Sequence, residues 1–147
     1  MKLIKKAEAT DADKIAALAV QMWNTATLQE LTDEFLDAIL QGNGQIFLKY
    51  DQEQLVGFAQ CTLRHDYVEG TDTSPVGYLE GIFIKEAYRR KGYAKELLSE
   101  CENWAKEKGC REFASDCEMD NDSSLRFHMA VGFAAANRII CFAKKLH

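Results

Sequence analysis

The chain lacks long hydrophobic runs, and none approaches the ~20 consecutive apolar residues that a membrane-spanning helix requires. Residues 1–6 do not contain the apolar core of a secretion signal. We therefore expect no membrane partner, and the predicted location is the cytoplasm. Proline is nearly absent as well, and its one occurrence, Pro75, falls in a polar loop predicted over residues 65–76.

Paired cysteines and excess basic charge are also missing. The five cysteines include no CxxC pair and have no metal-ligand spacing, so the sequence predicts neither a metal site nor a disulfide framework. Cys101 falls on the apolar face of a predicted helix and is expected in the core. The formal net charge of −5 argues against general nucleic-acid binding, which needs a basic face. An acidic protein is nevertheless compatible with a cationic substrate.

The chain does have the composition of an ordinary globular domain. Its 147 residues suffice for one domain, predicted over residues 1–147, that buries about two thirds of its unfolded surface. The order of predicted elements is β-α-α-β-β-β-α-β-α-β, which indicates a mixed α/β fold with helices on both faces of a largely antiparallel sheet. The predicted strands cover residues 3–8, 45–50, 55–64, 78–84, 111–116 and 138–143.

The stretch Gly77–Ala94 combines an apolar strand with a basic, glycine-containing turn and the start of an amphipathic helix that runs to Lys108. The N–H groups at a helix start have no intrahelical partner, and the helix dipole there favours negative charge. Gly92 allows close approach of the backbone, and the neighbouring arginines add charge and donors. We therefore predict a phosphate-binding turn. The alternative is a solvated basic turn that caps an ordinary helix.

Two carboxylates and one glycine are candidates for chemistry near this stretch. Glu80 lies between apolar neighbours in a predicted strand, where it either binds an amine, or deprotonates it through water, or simply faces solvent or an arginine. Asp116 closes a predicted strand and either holds a cation or begins a turn. Gly81 marks either a bulge with exposed backbone groups or a place of close helix packing.

Two motifs resemble the cofactor elements of the GNAT acetyltransferase superfamily. The pattern Arg89-x-x-Gly92-x-Ala94 resembles its acetyl-CoA pyrophosphate loop, and residues 121–133 resemble its second cofactor element. The resemblance implies that the backbone at residues 81–84 binds the pantetheine arm and the thioester carbonyl, stabilising the oxyanion. The implied cofactor residues are Ile82, Phe83, Ile84, Arg89, Arg90, Lys91, Gly92, Tyr93, Ala94, Asn121 and Ser124.

One position departs from the family pattern. His128 stands where many members have the tyrosine that is thought to protonate the leaving CoA thiolate. Imidazole titrates near neutral pH and could perform the same step, so the resemblance implies His128 as the general acid. The alternative is a surface histidine on a helix.

Longer stretches resemble the aminoglycoside 6'-N-acetyltransferases within this superfamily, over residues 64–71, 73–82, 112–116 and 142–145. The resemblance implies acetyl-CoA as co-substrate, no metal, a homodimer and antibiotic resistance through direct transfer in a ternary complex. It also implies that the amine loses its proton to Glu80 or Asp116 through water. The implied aminoglycoside contacts are Trp23, Tyr67, Glu80 and Asp116.

Two other functions remain open at this stage. The first is a GNAT enzyme that acetylates another primary amine, such as a polyamine, an amino acid or a protein N-terminus. The second is a sensor that binds acyl-CoA without turnover. The aromatic residue Trp23 illustrates the ambiguity, because packing in the core is at least as compatible with its sequence context as a sugar contact.

Overall fold

The computed structural model describes residues 3–147, and a five-stranded sheet lies at its centre. The strands follow one another across the sheet in chain order, with antiparallel pairing from β1 to β4 and a parallel pairing of β4 with β5. The predicted mixed, mostly antiparallel sheet is therefore confirmed. The strands are β1 Ile4–Lys6, β2 Gly44–Asp51, β3 Gln54–Arg64, β4 Val76–Ile84 and β5 Phe113–Ala114.

Four α-helices flank the sheet: α1 Ala12–Ala19, α2 Leu28–Gln41, α3 Tyr93–Glu107 and α4 Asp122–Ala130. α2 begins with a capping box, in which the Thr27 side chain accepts from the Glu30 N–H and the Glu30 carboxylate accepts from the Thr27 N–H. It ends at Gly42, whose φ of 70° is left-handed, as the glycine pattern predicts. None of the helices in the described part of the chain has the length and hydrophobicity needed to cross a membrane.

Each face of the sheet covers its own core. α1 and α2 pack on one face around Phe58, Ile15 and Phe35, and α3 packs on the other face around residues that include Cys101 and Trp104. Cys101 is fully buried, as predicted. All five cysteines are free.

β4 contains one extra residue relative to β3. Gln60 of β3 pairs with Gly81, but the next residue, Cys61, pairs with Leu79, so Glu80 has no partner of its own. This is a β-bulge, the feature that Gly81 indicates in the sequence.

The bulge determines the face of the sheet on which each side chain of β4 lies. Leu79, Ile82 and Ile84 pack on the α3 side, whereas Phe83 packs on the α1–α2 side. A regular strand would place positions 79, 81 and 83 together on one face. The extra residue therefore separates Leu79 from Phe83 and sets the orientation of the strand around Glu80.

Three predicted strands differ from the structure. The strand predicted over residues 3–8 is reduced to Ile4–Lys6 and the one predicted over residues 111–116 to Phe113–Ala114, and residues 138–143 are in no helix or strand. Residues 134–147 are all exposed. An apolar sequence becomes a strand only where a neighbouring backbone supplies hydrogen bonds, and residues 138–143 have no such neighbour among residues 3–147.

Candidate active site

The turn that precedes α3 has an unusual backbone conformation. Arg90 has a φ of 65° and Gly92 a φ of 82°, so two residues of this turn are left-handed. The N–H groups of residues 90–92 donate no hydrogen bond within the described chain, and α3 begins directly afterwards at Tyr93. Such a run of free N–H groups at a helix start binds anions. The Arg89 Nε donates to the Ile84 carbonyl at 2.7 Å, which ties the turn to the end of β4.

A cavity of about 560 Å³ lies between this turn, the end of β4 and α4. It brings together every predicted cofactor residue except Lys91. The Asn121 side chain caps α4 by accepting from the Ser124 N–H at 3.1 Å, so both residues sit at a second helix start facing the same cavity. The remaining lining residues are Gln21, Met22, Tyr88, Lys95, Ser123, Phe127 and Val131.

Lys49 contacts the first turn of α3, and the sequence pattern did not indicate it as a candidate. It is only 4% exposed, and its Nζ lies 2.6 Å from a carboxylate oxygen of Glu96 and 4.4 Å from the centroid of the Tyr93 ring. The Tyr93 hydroxyl donates to Asp51 at 2.6 Å, and this hydrogen bond is the main cause that raises the pKa of Tyr93. These contacts connect β2 to the first turn of α3.

A second cavity, of about 370 Å³, lies on the α1–α2 side of the sheet. Its walls contain both aromatic rings and carboxylates. This combination suits a ligand that has ammonium groups and ring faces. The Trp23 and Phe35 rings stack at 6.3 Å between centroids. The lining residues are Trp23, Glu34, Phe35, Gln60, Thr62 and Glu80. Glu34 is a candidate that the sequence pattern did not indicate, because it is an exposed residue of an amphipathic helix.

Glu80 lines this cavity and is also hydrogen bonded to protein. The Thr62 hydroxyl donates to its carboxylate at 2.6 Å, and Arg64 Nη2 donates to both oxygens at 3.0 and 3.1 Å. The arginine pairing considered for Glu80 is thus present, together with a position in the cavity wall. Charge-assisted hydrogen bonds of this kind hold the carboxylate in one orientation.

The contacts of Arg64 link Glu80 to Asp116. The Arg64 guanidinium carbon lies 3.6 Å from the centroid of the Tyr78 ring, and the Tyr78 hydroxyl donates to the Asp116 carboxylate. Burial, followed by the hydrogen bond to Asp116, raises the pKa of Tyr78 well above its usual value. The two predicted catalytic carboxylates therefore belong to one network, although Asp116 does not line the smaller cavity.

Tyr67 and His128 lie outside both cavity walls. Tyr67 is 77% exposed, and its hydroxyl donates to Glu69 at 3.2 Å. His128 Nδ1 lies 2.7 Å from the Ser124 carbonyl, which can only accept, so this nitrogen carries a proton. In the neutral ring Nε2 then accepts from the Ser115 hydroxyl at 2.8 Å. His128 thus connects α4 to the β5 segment.

The two cavities lie on either side of Gly81. The neighbouring residues Met22 and Trp23 line different cavities, and so do Glu80 and Ile82 on either side of the glycine. A Cβ at Gly81 would lie 2.7 Å from two atoms of the Trp23 ring. The glycine therefore serves both purposes considered from the sequence, a strand bulge and a close approach.

Among residues 3–147, no group of histidine, cysteine, aspartate and glutamate side chains is arranged to hold a metal ion.

Comparisons with known proteins agree with this geometry. The model of the Acetyltransferase (GNAT) family matches residues 12–133. An aminoglycoside N(6')-acetyltransferase type 1 from Stenotrophomonas maltophilia is 37% identical over 97% of this chain and 93% of its own length. The relative of the same name from Salmonella typhimurium is 46% identical, over 61% of this chain and 62% of its own length.

A solved structure extends the comparison to a bound ligand. The structure of AAC(6')-Iy in complex with the bisubstrate analog CoA-S-monomethyl-acetylneamine has a TM-score of 0.91 and 33% sequence identity. The match covers 97% of each chain.

Proposed function

This chain belongs to the GNAT acetyltransferase family, and we propose that it transfers the acetyl group of acetyl-CoA to the 6'-amino group of aminoglycosides. Near full-length similarity to aminoglycoside N(6')-acetyltransferases supports this substrate class. The observation that carries the proposal is that two cavities flank the β4 bulge, one beside a basic turn and one with carboxylate and aromatic walls. Acetylation of the drug would give antibiotic resistance.

The larger cavity is the proposed site of acetyl-CoA. Its turn offers free N–H groups and two arginines, which fit the pyrophosphate in both charge and hydrogen bonding. Ile82, Phe83 and Ile84 then extend alongside the pantetheine arm, and Asn121 and Ser124 close the opposite wall. Lys91 adds positive charge to the same turn. The backbone N–H groups next to Gly81 stabilise the oxyanion as the thioester is attacked.

The smaller cavity is the proposed aminoglycoside site. Trp23 provides an aromatic face, and Glu80, with Glu34, provides negative charge for ammonium groups. Tyr67 and Asp116 contact more distant parts of the same substrate from the loop and the β5 segment. Because an ammonium group cannot attack a thioester, Glu80 or Asp116 accepts its proton through water before transfer. The free amine then attacks the acetyl carbon directly in a ternary complex.

Protonation of the departing CoA thiolate is the proposed role of His128. In the neutral ring described above, Nε2 has no proton, so this role requires the doubly protonated imidazolium, whose Nε2–H turns from Ser115 to the thiolate while Nδ1–H stays on the Ser124 carbonyl. A His128→Gln variant keeps hydrogen-bonding capacity and removes the imidazole. If His128 is the acid, the variant should lose the basic limb of the kcat–pH profile. An unchanged profile would mean that His128 is not the acid and only connects α4 to the β5 segment.

The decisive experiment compares substrates with purified protein and acetyl-CoA. Aminoglycosides with a 6'-amino group should be acetylated, whereas matched drugs with a 6'-hydroxy group should not react. Spermidine and a panel of peptides test the alternative amines. CoA binding without turnover of any of these substrates would indicate a sensor, and turnover of polyamine or peptide alone would overturn the aminoglycoside assignment.

Three broader features belong to the same proposal. The match over residues 12–133 supports a single acetyltransferase domain across residues 1–147. The free cysteines suit a reducing compartment, which supports the cytoplasm as the location. The enzyme is further proposed to be a homodimer.

A further inference from the structure

The start of α3 has no capping side chain. Gly92 is its N-cap, and the N–H groups of residues 93–95 donate no hydrogen bond to any side chain or carbonyl within the described chain. The start of α2 differs, because Thr27 and Glu30 form a capping box there. A cap on α3 would occupy the N–H groups that the proposed pyrophosphate site offers. The first turn of α3 therefore depends on contacts from elsewhere in the fold.

Lys49 is the only charged residue that is buried among residues 3–147. A buried ammonium group is costly unless an anion compensates it. The compensating anion is the Glu96 carboxylate, 2.6 Å from Nζ, and Glu96 belongs to the first turn of α3. The side chain of Lys49 is 5% exposed and that of Glu96 is 48% exposed, so the ion pair reaches from the interior to the solvent at this turn.

Two residues of β2 hold the first turn of α3 from the side of the sheet. Lys49 holds Glu96, whose N–H donates to the Gly92 carbonyl at 3.0 Å in the first backbone hydrogen bond of the helix. Lys49 also lies over the ring of Tyr93, and the Tyr93 hydroxyl donates to Asp51. β2 is paired on both sides, with β1 and with β3. Both ends of the first turn are therefore attached to a strand inside the sheet.

Lys49 acts on the larger cavity only through this turn. Residues 93–95 line the cavity, whereas Lys49, Asp51 and Glu96 do not. The ion pair has an electrostatic effect as well as a mechanical one. Glu96 places a negative charge within one helical turn of the proposed pyrophosphate, and the ammonium group of Lys49 offsets the repulsion that this charge would cause.

We propose that Lys49 is a positioning residue for acetyl-CoA. It fixes the first turn of α3 so that the free N–H groups face the pyrophosphate, and it neutralises the carboxylate beside that site. The inference rests on the acetyl-CoA site proposed above and adds to it a residue outside both cavity walls. No step of the acetyl transfer passes through Lys49, so its loss should weaken binding of the donor and leave the chemical step unchanged.

Lys49→Met tests this role. Methionine is an unbranched apolar side chain that fills the buried position without a charge, and Glu96 stays in contact with solvent. KM for acetyl-CoA should rise about tenfold or more, the order expected when a hydrogen bond to a charged group is lost. The values of kcat at saturating donor and of KM for the aminoglycoside should stay near those of the wild type. Circular dichroism verifies the fold, and Lys49→Gln supplies the same comparison if Lys49→Met does not fold.

A shortened donor separates positioning from stability. S-Acetylpantetheine keeps the thioester and the pantetheine arm but lacks the pyrophosphate, so its kcat/KM should be the same in the wild type and in Lys49→Met. A purely structural role would lower the fraction of active protein and reduce the rates with both donors equally. That outcome, or an unchanged KM for acetyl-CoA, overturns the proposal.

Lys5→Met is the matched control. Lys5 is an exposed residue of the neighbouring strand β1, its Nζ lies 5.3 Å from the centroid of the Tyr50 ring, and it lines neither cavity. The same substitution at this position should leave KM for acetyl-CoA unchanged. A rise as large as that in Lys49→Met would show a general effect of removing a lysine and overturn the proposal.

A second background tests whether Lys49 acts through Glu96. In a Glu96→Gln chain Lys49 has no carboxylate to hold, so Lys49→Met should change KM for acetyl-CoA much less than it does in the wild type. An equal factor in both backgrounds would contradict the proposed path from Lys49 to the turn.

Calorimetry of CoA binding makes the test independent of turnover. The dissociation constant for CoA should rise about tenfold in Lys49→Met, in line with KM. If this rise occurs and no aminoglycoside is acetylated by either protein, the inference stands and the proposed function alone fails. Equal CoA affinity of the two proteins overturns the inference, whatever substrate the enzyme acetylates.

Discussion

Glu80 is a carboxylate whose charge is balanced by the protein before any substrate arrives. Thr62 and Arg64 donate to it, and Arg64 in turn lies over the Tyr78 ring. Glu80→Gln keeps the shape and removes the charge, so the variant loses its attraction for an ammonium group and its capacity to accept a proton. We expect kcat/KM for the aminoglycoside to fall by about 10² or more, with KM for acetyl-CoA nearly unchanged.

Steady-state kinetics with each substrate varied in turn checks this prediction. Glu53→Gln is the matched control, since Glu53 is exposed in the β2–β3 turn and lines neither cavity. Equal losses in both variants, or a selective rise in KM for acetyl-CoA, would contradict the assignment of Glu80 to the amine site.

Gly81 allows the Trp23 ring to pack directly on β4. Gly81→Ala places a methyl group 2.7 Å from two atoms of that ring, and the side chain has to move. We expect a loss of about 1–3 kcal/mol in the free energy of unfolding, as is usual for overpacking, and a higher KM for the aminoglycoside. Denaturant unfolding measures the first effect and initial rates the second.

A double-mutant cycle with Trp23→Phe isolates the cause. The smaller ring lacks the atoms that the new methyl group meets, so Gly81→Ala should cost much less stability in the Trp23→Phe background. Purely additive losses would mean that the alanine acts on the strand backbone rather than on the indole.

Single residues differ in how far the sequence predicts them. The helix starts at the Arg89–Ala94 turn and at Asn121 could be predicted, because short motifs there determine the local backbone conformation. The contacts of these residues with acetyl-CoA stay a prediction. Arg64 and Lys49 could not, because their importance depends on partners far along the chain, Glu80 and Glu96. Their contacts exist only once the sheet has brought separate strands and helices together.

At the level of elements, Glu112 joins the loop at residues 65–75 to the β5 segment. Its carboxylate accepts from the Thr73 hydroxyl and from the Asp72 and Thr73 N–H groups at 2.9 and 2.8 Å. The bond from the Thr73 side chain is the largest cause that lowers the pKa of Glu112. The pKa is lower in the folded state, so the stabilisation is complete above the unfolded value of about 4.3 and is lost as pH falls through the folded value.

Glu112→Gln should therefore lower the melting temperature at pH 7, and the difference from wild type should shrink below about pH 4. Thermal scans between pH 3 and pH 8 measure this difference, with Glu118→Gln as an exposed acidic control in the segment after β5. A difference that stays constant down to pH 3 would mean that the charge of Glu112 contributes nothing to the loop attachment.

Elements with a regular pattern and a local start signal could be predicted. α2 and α3 show helical spacing with a cap or a glycine turn, and β2 and β3 flank a polar turn. The length of β5 and the strand at 138–143 were predicted wrongly for the described chain, because strand formation depends on a partner that the pattern does not contain. The bulge at Glu80 was indicated only by its neighbouring glycine.

For the whole molecule, the proposed homodimer would link stability to protein concentration. A dimer gains stability by mass action, whereas a monomer does not. We expect the melting temperature of the wild-type protein to rise over a hundredfold increase in concentration. Calorimetry at several concentrations measures this rise. Concentration-independent melting of the wild-type protein would contradict the homodimer.

The position of Trp23 has a consequence for spectroscopy. The chain has two tryptophans, and the other one, Trp104, is only 6% exposed in the core on the opposite face of the sheet. Trp104→Phe would leave Trp23 as the single tryptophan, in the wall of the smaller cavity and next in sequence to Met22, which lines the larger cavity. Its emission would then give a direct optical signal for the order in which the two substrates bind, without any attached dye.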